Sequence, residues 1–156
     1  MGYDFCMKNN NRRVILNRFF EELEDETKWT RARVEAQIYS AVILAIQMDK
    51  NDKTRQHLLA TWPAECSVRY EWFESVIADV KLPPNIAPFD NTHDNFYNVL
   101  VHWLDSVDSV TDRKLLILHS IGLSMNKIGK KTGLLRQTAS RRYTNAIDAL
   151  VWKLNH

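Results

Sequence analysis

Between Ser124 and Lys153 the chain reads as helix, tight turn, helix, and the rest of the fold has to be compatible with that unit. The pattern predicts a short polar-capped helix over 124–131, a reversal at Thr132-Gly133-Leu134, and a longer amphipathic helix from about Arg136. Gly133 suits the reversal, because a chain that turns within a few residues usually needs a positive φ that other residues adopt at a cost. Leu134, Ala139, Tyr143, Ala146, Ile147 and Leu150 recur at helical spacing and define a face to bury. The remaining face carries Arg136, Gln137, Thr138, Ser140, Arg141, Arg142, Thr144 and Asn145. Guanidinium, carboxamide and hydroxyl groups on one helix face match the base edges and phosphates of a DNA major groove.

Charge points the same way once the chain is divided. The net charge is only +2, but from Asp112 onward nine basic residues face two acidic ones, a balance of +7, which leaves the first 111 residues at −5. A charged run by itself is usually a solvated face. A cationic segment that coincides with a helix-turn-helix pattern is the footprint expected of a nucleic-acid-binding surface. Within it, Arg136, Gln137, Ser140 and Arg141 are the expected base readers, since the start of the second helix enters the groove. Lys127, Lys130 and Lys131 on the first helix, with Thr138, Arg142 and Asn145 on the second, are the expected phosphate ligands. Arg142 has a salt bridge as its alternative role.

The segment resembles the helix-turn-helix of sigma-factor region 4 and related response regulators. Ile128-Gly129 stands where that pattern has an apolar and a small residue, more usually Ala than Gly. Gly133-Leu134 matches its turn, and Arg136, Thr138, Ala139, Arg141 and Arg142 match the opening of its recognition helix. Leu135 departs from the pattern, which has a capping Ser or Thr there. Across most of the chain, Trp29, the run ARVEA at 32–36, Trp62-Pro63, HWLDSV at 102–107, Arg141-Arg142 and Leu154-Asn155 are similar to a family of small bacterial helix-turn-helix proteins met in prophage-like contexts. The resemblance implies an all-α fold and a DNA-binding role.

Upstream, the first eleven residues are polar and expected to be flexible. Ile15, Leu16, Phe19, Phe20 and Leu23 predict a helix over 12–23, followed by an acidic stretch, 21–26, which reads as a solvated face or as a shield over the basic module. Thr30 is placed to cap a helix over 30–48 so rich in apolar residues that it should lie at the centre of the body. After a polar linker, 49–54, a short helix is expected over 55–61. Trp62-Pro63 then breaks the chain and starts the next helix, 64–80, with Pro63 at a first helical position. The proline-rich segment 81–91 is the clearest boundary. Thr92 is placed to cap a helix over 92–107, and a support helix is expected over 112–121.

Catalytic chemistry finds no constellation. His57, Glu65, Cys66 and Glu71 are near one another in sequence, but their spacing matches no metal-binding helix pattern. His93 and His102 read as hydrogen-bonded structural histidines, and no nucleophile elbow or phosphate-cradling glycine loop is present. Trp29, Trp62, Trp72 and Trp103 fall on apolar stripes and read as core, whereas Trp152 could pack on the body or on a second subunit. Cys6 and Cys66 are unaccompanied and read as reduced thiols. The start of the chain lacks the apolar run of a signal peptide, Cys6 stands where a myristoylation motif wants Ser or Thr, and the apolar run 41–46 is too short to span a bilayer.

The expected protein is therefore all-α and cytoplasmic, with a flexible 1–11, a helical body over 12–107 and a helix-turn-helix module over 112–156. Its expected activity is sequence-dependent binding of double-stranded DNA without catalysis, metal or cofactor, as a bacterial or prophage transcriptional regulator working as a homo-oligomer, a dimer by the usual symmetry of such readers. Two other readings keep the same fold. One is a small terminase-like packaging or assembly subunit; the other is a protein-protein interaction module docking on RNA polymerase or a phage packaging protein, against which the +7 balance stands.

Overall fold

Thr30 ends an extended stretch, and its hydroxyl oxygen accepts a hydrogen bond from Arg33 N, so helix α1 (Arg31–Gln47) begins one residue later. In the computed structural model, residues 28–48, 52–81, 86 and 93–156 are described. The expected flexible start, the helix over 12–23, the acidic stretch 21–26, Cys6 and the Thr92 cap lie outside them. Along α1, Val34, Ala36, Ile38, Ala41, Val42 and Ile43 are all buried, on more than one face of the helix. A helix apolar on several sides needs neighbours on several sides. It has them: α1 packs against the helical residues 93–103, the helix Val110–Ser120 and the helix Arg136–Asn155, the central position its sequence predicts.

Helix α2 (Lys53–Thr61) starts two residues earlier than expected, because the Asp52 carboxylate accepts from Thr54 N at 2.7 Å. The next helix starts later. Pro63 does not open it; residues 64–69 are irregular and α3 spans Tyr70–Ile77. Side-chain hydrogen bonds, one of them to Asp105 far along the chain, override the local pattern here. The Trp62 indole donates to Val68 O at 2.8 Å, the Cys66 thiol donates to the same oxygen, and Ser67 N donates to Asp105 Oδ1 at 2.8 Å. Val68 O and Ser67 N are thereby withdrawn from a helical ladder.

The helix expected over 92–107 is also not uniform. A short α4 (His93–Tyr97) continues into a π-helical segment, Asn98–Trp103, closed by Leu104 N donating to Val99 O at 2.9 Å. Val99, Leu100 and Val101 are buried in succession, followed by Trp103 and Leu104. The wider turn departs from the α-helical spacing on which the sequence expectation was built. Of the proline-rich boundary, Ile86 is described and buried, and its carbonyl accepts from Gln47 Nε2 at 2.7 Å.

Ser109 caps α5 (Val110–Ser120), Ser124 caps α6 (Met125–Thr132), and α7 (Arg136–Asn155) closes the fold. All regular structure among the described residues is helical. One core runs through the parts expected as body and module: Ile38 and Val42 of α1, Phe73 of α3, Phe96 of α4, Leu116 of α5, Ile128 of α6 and Ile147 of α7 belong to the same cluster. Trp62 and Trp103 are buried, and Trp29 meets Trp103 edge-on with ring centroids 5.0 Å apart. None of the helices among the described residues is long and apolar enough to cross a membrane.

Candidate nucleic-acid interface

The α6-turn-α7 unit owes its angle to two glycines. Gly133 ends α6 in the left-handed region, with φ 74° and ψ 20°, as the reversal requires. Gly129 serves close approach instead: a Cβ there would lie 2.6 Å from Leu134 O. That contact accounts for Gly where the related pattern has Ala. Leu134 N donates back to Gly129 O at 3.0 Å, and Ser124 Oγ accepts from Lys127 N at 3.3 Å, closing the unit at both ends.

The predicted apolar stripe of α7 is the one that packs. Ala139, Tyr143, Ala146, Ile147 and Leu150 are buried, and Leu134 is half-buried. Polar bonds then fix the helix along its length. Arg31 Nη2 meets Asp148 Oδ1 at 2.6 Å. The Asn155 carboxamide bonds both Trp29 N and Trp29 O, at 2.8 and 2.7 Å. Tyr143 donates to the buried Glu35 carboxylate, and the His119 ring lies 3.9 Å from that of Tyr143. Burial, reinforced by Glu35, holds the Tyr143 hydroxyl pKa well above its ordinary value. Burial, with a smaller contribution from Arg31, lowers that of His119 to about 4. These groups position α7.

All four expected base readers, Arg136, Gln137, Ser140 and Arg141, are exposed, and they line one open groove together with Thr144 and Asn145. Lys127 and Lys130 are exposed on α6. Among the described residues, no ion pair involves Lys127, Lys130, Arg136 or Arg141. The other expected phosphate ligands differ. Lys131 pairs with Asp79, which holds the Asp79 carboxyl below its usual range. Arg142 donates to Asp112 Oδ1 and to Ser109 Oγ, both at 3.0 Å, so of its two anticipated roles the structure has the salt bridge. Thr138 is half-buried beside the core.

Three groove residues, Met125, Leu135 and Thr144, were not among the expected ligands. Met125 and Leu135 contribute apolar surface beside the arginines. The signal for Leu135 was present as its departure from a capping residue. Elsewhere, His57, Glu65 and Glu71 are exposed while Cys66 is buried, and no group of three or more His, Cys, Asp or Glu side chains able to hold a metal occurs among the described residues. Trp152 is 62% exposed and stacks on His156 at 4.4 Å. In comparison with known proteins, no family model, curated protein or solved structure matches the chain.

Proposed function

We propose that this chain binds double-stranded DNA in a sequence-dependent way, with the first half of α7 in the major groove and α6 across the phosphate backbone, and that it acts in the cytoplasm as a bacterial or prophage transcriptional regulator without catalysing a reaction. One observation carries the reading: Arg136, Gln137, Ser140 and Arg141 stand together in solvent along one groove while the opposite side of the same helix is buried. Arg pairs bidentately with guanine, Gln with adenine, and Ser serves either base or phosphate. A rigidly anchored helix is what such pairing needs, since a helix free to rotate would lose its register on the bases. Lys127 and Lys130 supply the sequence-independent attraction.

The test is selection from random duplexes with the purified protein, followed by footprinting on the enriched site. An enriched motif protected in the major groove supports the reading; salt-sensitive binding without enrichment, or no binding, overturns it. We further propose a homodimer, for which the selected site would be a repeat with half-sites about 34–36 Å apart, one helical turn, or a multiple of that. Light scattering of the complex checks this.

A further inference from the structure

The groove holds a side chain that polar recognition does not use. Leu135 is the residue before α7, makes no capping hydrogen bond and is 78% exposed. Ser, Thr, Asn or Asp there would satisfy an N–H of the first turn, so leucine forgoes a cap and leaves a large apolar group in water. It does so at a particular place. Arg136 adjoins it in sequence and in the groove, and Met125 of α6 lines the same concavity.

Resting on the DNA-binding reading above, we infer that Leu135 is a specificity residue that packs on the C5-methyl group of a thymine, beside the base pair that Arg136 reads. Leu135 has no atom that can pair with a phosphate or a polar base edge. In the major groove of unmodified DNA, the one apolar group on a base edge is the thymine methyl. Residues at the start of a recognition helix are those that reach base edges. Met125, a flexible thioether, extends the apolar surface around the methyl without adding a polar group that would have to be desolvated.

The experiment uses the site selected by the full chain. Each thymine is replaced in turn by deoxyuridine, which removes the methyl and leaves every hydrogen-bonding group in place. One thymine per half-site is expected at which the change weakens wild-type binding about fourfold, the value of one buried methyl-sized group. Leu135→Ala should bind thymine and deoxyuridine sites equally, whereas Leu135→Met, which keeps an apolar reach, should retain the discrimination. Both variants are checked by circular dichroism. The inference is overturned if no thymine methyl matters, if Leu135→Ala discriminates as wild type does, or if the only methyl effect is a gain on placing 5-methylcytosine for cytosine. A wild-type protein that binds no duplex removes the proposed function and this inference with it, whereas one that selects a site but ignores every thymine methyl removes this inference alone.

Discussion

Tyr143 on α7 donates its phenolic hydrogen to Oε1 of Glu35 on α1, joining two buried side chains 108 residues apart in sequence. The bond ties the helix that carries the candidate interface to the helix at the centre of the body. Tyr143→Phe keeps the ring and its stacking on His119 but leaves the Glu35 oxygen short of a donor. Removing one partner of a buried hydrogen bond costs about 1–3 kcal/mol. A urea melt should show the midpoint fall accordingly with the slope unchanged. An unmoved midpoint would mean that the bond adds nothing to the attachment of α7.

His119 sits in the same polar cluster, and its neighbours fix the sign of a pH effect. The Tyr143 ring lies 3.9 Å from its own, and burial followed by Arg31 lowers its pKa from 6.5 to about 4. Below pH 6.5 the unfolded chain takes up a proton at this ring that the folded chain refuses. Acidification therefore favours unfolding, and the loss accumulates between pH 6.5 and about 4, to no more than about 3 kcal/mol. His119→Phe keeps a ring against Tyr143 and removes the titration. Thermal melts at pH 7 and pH 5 should differ less for His119→Phe than for wild type; an equal pH dependence would assign the acid sensitivity to other groups.

Gly129 makes a sharper test of the turn. A Cβ at this position would come within 2.6 Å of the Leu134 carbonyl oxygen, a backbone atom that cannot rotate aside. Gly129→Ala should therefore lose stability despite the better helix propensity of Ala, by about 1–3 kcal/mol for an overpacked contact. Were Gly129→Ala as stable as wild type or more so, the tight approach of α6 to the start of α7 would be wrong.

Much of this could be read from the sequence where the signal was local. Thr30 and Ser124 stand one residue before the helices they cap, and the spacing of Ala139, Tyr143, Ile147 and Leu150 marked the buried side of α7, whereas the helix expected over 112–121 begins two residues earlier, at Val110 after the Ser109 cap. Exposure of Arg136, Gln137, Ser140 and Arg141 followed from the same period. What escaped depended on partners far along the chain. Residues 64–69 looked helical because nothing nearby revealed that Asp105 would claim Ser67 N. Arg142 stood with the cationic face in sequence, yet its partner, Asp112, lies 30 residues upstream. The π-helical segment was invisible for another reason: Phe96, Val99, Leu100, Trp103 and Leu104, all buried, fit an ordinary α-helical stripe, and only Val101, buried beside them, departs from it.

The pairing of Arg142 and Lys131 limits how many cations remain for DNA. Lys127, Lys130, Arg136 and Arg141 are exposed and outside any ion pair among the described residues, whereas Lys153, near the end of α7, donates to Ser106 O. With Arg136 and Arg141 on base edges, Lys127 and Lys130 make two phosphate-neutralising contacts per protomer, for a slope of log K against log salt of about −2 per protomer. Arg142→Ala should leave that slope unchanged while lowering stability by up to about 1 kcal/mol, the range for a half-exposed ion pair. A slope much steeper than this, or one that Arg142→Ala reduces, would place Arg142 on the DNA instead.

Distinguishing base readers from phosphate ligands requires comparing sequences as well as affinities. Arg136 and Arg141 project into the groove from α7, whereas Lys130 projects from the last turn of α6, where its charge also complements the helix dipole. If the arginines grip guanine edges, Arg136→Ala or Arg141→Ala should cost about 1–3 kcal/mol on the selected site and relax the preference at the base pair each reads. Lys130→Ala should instead weaken selected and scrambled duplexes alike and make the salt slope shallower by about 1. The measurement is a matrix of three variants against the selected site, its single-base variants and a scrambled control, each titrated at two salt concentrations. Three uniform losses across every duplex would reduce the whole face to an electrostatic cradle and leave α7 without a reading role.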